Sequence, residues 1–201
     1  NAIPRECEAS LIYESDEEAA KAEELACELA ETYAEELTPA EPDFSCEISC
    51  ETNRTAEAIP QDAAKEFICA MRLAPNGIQK RNIKMDGFVV VSLNLGVVRT
   101  EEDRIVMIFS PRSSVASLQE DTKERLNTLA ETFGFTVSHS SEYPGWSFKE
   151  DSPVREICKE SYKELFGEDL KIEAIHAGLE CGLFSDAIKG LDAIAIGPTI
   201  A

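Results

Sequence analysis

Histidine is nearly absent from this chain: His139 and His176 are the two present in 201 residues. A zinc centre built on imidazoles has too little to draw on without heavy use of carboxylates. Gly-x-Ser-x-Gly, a phosphate-binding P-loop and His-Glu-x-x-His are all missing, so no nucleophile–base pair can be read along the chain. Basic residues are scarce as well, 19 against 39 acidic ones, for a formal charge of −20. A field of that sign repels phosphate backbones and anionic lipid, which disfavours nucleic acid and membrane surfaces as partners. No apolar run reaches membrane-spanning length, and no segment reads as a signal peptide. The seven cysteines, at 7, 27, 46, 50, 69, 158 and 181, form no Cys-x-x-Cys and are odd in number. Neither a zinc ribbon nor a small secreted disulfide framework fits them, so reduced thiols in a cytoplasmic protein are expected.

The charge is uneven. Residues 1–66 hold 19 acidic and 4 basic residues, a balance of −15, which leaves −5 for the rest. The chain has no initiator Met and starts directly in a strand-like pattern, which suggests a processed or excised segment; Asn1-Ala2 would then be open to a vector origin.

Apolar and polar residues alternate over Ile3–Glu14 and Phe44–Glu51, predicting half-buried strands. Between them Ser15 reads as a helix N-cap followed by Asp16, Glu17 and Glu18, where the helix dipole favours anions. Ala22, Leu25, Ala26, Leu29, Tyr33 and Leu37 follow at helical spacing until Pro39 ends the run. Pro60 opens a second helix over Gln61–Leu73, closed by Pro75-Asn76-Gly77. Phe88–Val98 and Arg104–Arg112 are the strongest strand patterns, and the short acidic turn between them predicts an antiparallel hairpin. Ser117–Phe133 is helical with Gly134 as its C-cap, and Phe135–Ser138 reads as a short strand. An irregular aromatic segment, Glu142-Tyr143-Pro144-Gly145-Trp146, then marks a crossing between two structural units. Beyond it come a helix (Ser152–Phe166), a strand (Lys171–Ile175), a small-residue turn and a strand over Leu191–Ile196 that halts at Gly197-Pro198. The first unit, residues 1–141, reads as an α+β layer with an antiparallel sheet and helices on one face. The second, 142–201, reads as a βα fragment of an α/β sheet too small to be covered by its own elements.

The turn Ile175-His176-Ala177-Gly178-Leu179-Glu180-Cys181-Gly182 lies where open α/β sheets place ligands. Its glycines allow close backbone approach, and His176 and Glu180 either take part in chemistry or orient the turn. His139, among serines, reads as a solvated loop residue. Arg112 ends an apolar strand, where its planar fork can face a carboxylate; as a bland alternative it pairs with a local acid on the surface. Asn94, in mid-strand, has a structural reading only.

These residues also resemble a family. The His-Ala-Gly-Leu-Glu-Cys-Gly run at 176–182 with Ile196-Gly197-Pro198-Thr199-Ile200 is similar to the C-terminal signature of the aminoacyl-histidine dipeptidase subgroup of the co-catalytic zinc peptidases. Asn1-Ala2-Ile3-Pro4, Pro75-Asn76-Gly77, Ser92-Leu93-Asn94-Leu95-Gly96 and Arg112-Ser113-Ser114 resemble its lid segments, in the same order. The resemblance implies a catalytic α/β domain with two zinc ions, interrupted by an α+β lid. This chain would be the later lid (1–141) and the return into the catalytic domain (142–201). It would hold neither catalytic residues nor metal ligands, because the zinc ligands would lie before residue 1 and just past Pro198. Asn1, Arg112 and Gly178 would bind substrate, Arg112 by the free carboxylate of a dipeptide. The chain would be inactive alone, with a homodimer through the lid as its protein contact. A non-catalytic acidic binding or dimerisation module with the same lid fold is the alternative.

Overall fold

The computed structural model describes residues 3–51, 57–83, 87–173 and 179–197. The chain divides into two compact units, residues 6–64 and residues 65–201 together with the first five.

The first unit carries the long acidic helix α1 (Asp16–Leu37). The Ser15 hydroxyl accepts from the Glu18 amide at 3.2 Å, satisfying one of the donors a helix start leaves free. Three acids occupy the first turn, as the dipole favours, and the helix ends at Thr38 before Pro39. The helix start, span and stop are those the sequence predicts. None of its residues is buried, and Leu25 and Leu29 remain 55% and 45% exposed.

Helix α2 (Gln61–Leu73) runs across the division of the two units and buries Ala70 completely. It leads into β1 (Gly77–Asn82), β2 (Phe88–Thr100) and β3 (Ile105–Ser113), an antiparallel sheet in the order β1-β2-β3. The fold is α+β. The β2–β3 hairpin is the expected one. Its turn is tied by the Glu101 amide donating to the Arg104 carbonyl at 2.8 Å. The Glu101 carboxylate also faces both Arg99 (2.9 Å) and Arg104 (3.3 Å). The register sets Val91 against Ser113, Ser92 against Arg112 and Leu93 against Pro111, and it slips at buried Gly96, a bulge in β2. Strand β1 has no counterpart in the sequence reading, because Gly-Ile-Gln-Lys-Arg-Asn has no period-two apolar face. It forms because β2 offers an edge; at its start Gly77 takes φ +78, and the Asn76 side chain accepts from the Leu95 amide at 3.0 Å. Asn94 itself is half-buried opposite Ser110.

Helix α3 (Ala116–Phe133) packs on β3 and buries Thr122, Leu126 and Ala130, one stripe at a spacing of four. Gly134 closes it in the left-handed conformation, φ +69, which a residue with a Cβ rarely adopts. Helix α4 (Pro153–Phe166) has Ser152 as N-cap, Pro153 in the first turn and Gly167 as C-cap. Helix α5 (Glu180–Ala187) completes the described elements.

Four expected strands are absent as ladders. Residues 3–14, 44–51, 135–138 and 191–196 pair with no strand among the described residues. Residues 171–173 also carry no ladder, and 174–175 lie outside the described residues. Alternation states which side of a segment suits burial, but a ladder needs a neighbouring strand to complete its N–H and C=O groups. That neighbour is not encoded in the segment itself.

Candidate functional site

Two of the five residues singled out from the sequence lie in described segments. Arg112 is the last residue but one of β3, exposed, and its guanidinium makes no ion pair or hydrogen bond with any described residue. Opposite it on β2 stands Ser92, which is buried. Next in sequence, Ser113 and Ser114 are buried at 8% and 7% exposure. The Ser113 hydroxyl accepts from the Val115 amide and donates to its carbonyl, both at 3.0 Å, locking the exit from the strand. The backbone beneath Arg112 is therefore fixed on both sides while its fork stays open to solvent. Glu180 is the first residue of α5, exposed, where the helix start favours its charge. Asn1, His176 and Gly178 lie outside the described residues.

The segment Tyr143–Phe148, which in sequence lies between α3 and α4, packs between the exit of β3 and α5. A Cβ at Gly145 would stand 2.9 Å from the Ser114 carbonyl oxygen and 3.1 Å from the Ala116 amide nitrogen, so this backbone lies directly on the β3–α3 junction. The Ser147 hydroxyl donates to the Ser114 carbonyl at 2.8 Å. On its other side, a Cβ at Gly182 of α5 would stand 3.1 Å from the Pro144 carbonyl oxygen and 3.3 Å from Trp146 Cβ. Two glycines 37 positions apart thus permit one three-layer backbone contact, β3 exit, crossing segment, α5. Helix α3 anchors the crossing as well. Gln119 donates to the Tyr143 carbonyl at 3.0 Å, and Lys123 bridges Glu120 (3.0 Å) and Glu142 (3.1 Å), the two carboxylates holding its ammonium charged above the ordinary lysine range.

A second clasp fixes the chain after α5. One Asp192 oxygen accepts from the Ser152 hydroxyl and from the Val154 amide, each at 3.0 Å, and Lys149 approaches the other oxygen at 3.6 Å. The Cys181 thiol points at the Ile194 carbonyl at 3.6 Å. Arg155 grips the Lys149 and Glu150 carbonyls and stacks over Phe148, 4.7 Å from the ring centre. The helix start near Ser152 is legible in the sequence; the N-cap role of Ser152 and its partner 40 residues away are not. The Val154 amide most of all, helped by Ser152 and Lys149, holds the Asp192 carboxyl below the ordinary carboxylate range, against desolvation, which is outweighed by the Val154 bond.

A carboxylate with a lowered folded-state pKa stabilises above its unfolded value and loses that contribution as pH falls through the folded one. The melting-temperature gap between the chain and Asp192→Asn is therefore expected to be full at neutral pH and to close below about pH 4, the ordinary aspartate range. Ser152→Ala should cost about 1 kcal/mol as a lost N-cap, lowering the melting temperature by roughly 2–4 °C. Thermal unfolding followed by circular dichroism across pH measures both.

Among the described residues, no group of three or more His, Cys, Asp or Glu is placed to hold a metal ion. His139 bonds Asn127 at 2.8 Å on the surface, as a solvated loop histidine would. No helix among the described residues is long and apolar enough to cross a membrane.

No family model matches the chain. Over 204 aligned positions it is 32% identical to the cytosol non-specific dipeptidase of Escherichia coli (strain K12), an alignment that takes in 100% of this chain and 41% of that protein. The crystal structure of aminoacylhistidine dipeptidase from Vibrio alginolyticus superposes with a TM-score of 0.73 at 32% identity, over 85% of this chain and 34% of the other. The chain thus spans less than half of either relative. Sequence and fold agree on the same kind of protein.

Proposed function

We infer that this chain, related over its whole length to a segment of the dipeptidases, is the substrate-positioning part of a longer dipeptide hydrolase. The single observation that supports this reading is the match along 100% of the chain at 32% identity. The geometry at β3 agrees with the role. A dipeptide carries a free carboxylate close to the scissile bond, and an Arg with no acid partner among the described residues, on a fixed strand end, can receive it with two parallel hydrogen bonds. Asn1 would face the substrate from the lid, and Gly178 would offer backbone contact in the turn before Glu180. His176 and Glu180 would orient that turn. The lid would run to about residue 141, with residues 142–201 returning into the catalytic domain.

The described residues offer no donor set for a metal ion. The two zinc ions implied by the family resemblance would be bound by polypeptide outside this chain, and no catalytic step is assigned to the residues present. What this chain contributes is orientation. Binding energy from a remote carboxylate holds the scissile bond in place, and a lid-borne Arg exerts that hold once the lid has closed. We place the intact protein in the cytoplasm, with a dipeptide as substrate and a second copy as a partner through the lid.

The purified 201-residue chain supplied with zinc should release no amino acid from carnosine or other dipeptides above a metal-only control. Turnover above that control would mean that the chain holds its own catalytic groups, contrary to this reading. The intact protein should hydrolyse them.

A further inference from the structure

One thickness of main chain separates the exit of β3 from α5, and a glycine stands at each of its two contacts. At the first, Gly145 of the crossing lies on Ser114. A methyl on it would stand 2.9 Å from the Ser114 carbonyl oxygen and 3.0 Å from its carbon, so something would have to shift. At the second, Gly182 of α5 lies on the Pro144 carbonyl, 3.1 Å from where its methyl would be, and one side would have to yield by a few tenths of an ångström. Both partners are main-chain carbonyls, which cannot swing aside as the tip of a long side chain would. Pro144 also has its φ fixed by its own ring, so the crossing cannot turn freely at that point.

The crossing is bonded to the β3–α3 side of this stack. Ser147 donates to the Ser114 carbonyl at 2.8 Å, Gln119 of α3 donates to the Tyr143 carbonyl at 3.0 Å, and Lys123 pairs with Glu142 at 3.1 Å. The Ser114 amide in turn bonds the Val90 carbonyl of β2 at 3.3 Å. Arg112 lies two residues before Ser114 at the end of the same strand, so the thickness of the stack sets its distance from α5. Glu180, the first residue of α5, stands two places after Gly178 in sequence. The stack thus spaces the two elements to which substrate contacts are assigned above.

We propose that Gly145 and Gly182 are positioning residues that determine substrate length, a role that rests on Arg112 receiving the dipeptide carboxylate as proposed above. Their missing side chains keep the span between Arg112 and α5 short. A short span suits a carboxylate one carbon away from the scissile amide nitrogen, as in an α-dipeptide. A methyl at either glycine thickens the stack, and the longer span suits a carboxylate one methylene further out.

The test measures kcat/KM of the intact protein for alanyl-alanine and for alanyl-β-alanine, which carries that extra methylene beside its carboxylate. Gly145→Ala and Gly182→Ala should each raise the ratio of the second to the first, chiefly through KM. A shift of about fivefold is expected, because a misplacement of about 1 Å costs roughly a hundredfold and a few tenths correspondingly less. Ser147→Ala adds no atom and only loosens the crossing, so it remains measurable if a methyl variant does not fold; it should move the ratio in the same direction by a smaller factor. Ser152→Ala, which weakens the fold outside the stack, should leave the ratio at the parent value. A parent that cleaves alanyl-alanine, with variants that keep its ratio or lose both substrates equally, overturns the spacer role alone. An equal shift in Ser152→Ala does the same. A parent that cleaves neither substrate overturns the dipeptidase reading and the spacer with it.

Discussion

Arg112→Ala in the intact protein is expected to lower kcat/KM for dipeptides by about 10²–10⁴-fold. Each hydrogen bond to a charged group contributes roughly 1.5–3 kcal/mol, and a fork on a carboxylate makes two. A tenfold change corresponds to about 1.4 kcal/mol, so loss of the pair falls in that range. Arg112→Lys keeps the charge but not the planar fork, and should recover only part of the loss. Stability should not change, because the side chain is exposed and contacts no described partner. A dipeptide amide, which has no free carboxylate, provides the decisive comparison. The parent and Arg112→Ala should cleave it at similar rates; an equal loss on acid and amide would show that Arg112 does not read the carboxylate.

The second large effect concerns the fold. Leu93→Ala is expected to destabilise the unit of residues 65–201 by about 2–5 kcal/mol, the usual range for removing a buried leucine. Leu93 is the one large side chain that is fully buried among the described residues. It sits mid-β2 between Gly77 of β1 and Pro111 of β3. The buried apolar set around it is small, namely Ala70, Val90, Val91, Leu126 and Ala130. With so few other contacts to carry the sheet, loss of one central leucine removes a large share of its burial. Ile108→Ala, on the same hairpin but 40% exposed, should cost far less. Urea unfolding of the three proteins measures this directly; similar midpoints for both variants would place the core elsewhere.

The sequence by itself determined helices α1 to α4, the β2–β3 hairpin and the charge. Ser15 with its acids, Pro60 and Gly134 are local signals, and each acts on backbone groups within a few residues. The same locality made Arg112 legible at the end of an apolar strand. His176-to-Gly182 stood out for another reason: an unusual composition matched a family's motif. Tertiary structure decided what depends on distant partners. Strand β1 exists because β2 offers it an edge, although its own sequence lacks strand periodicity. The expected strands at 3–14, 44–51 and 191–196 have no neighbour among the described residues to complete a ladder. Asp192 reaches Ser152 and Val154 across some 40 residues, and Gly145 and Gly182 meet the same layer from opposite sides. None of these pairings leaves a mark on the local sequence, because hydrogen bonds and close approach are properties of two segments, and a sequence window contains only one.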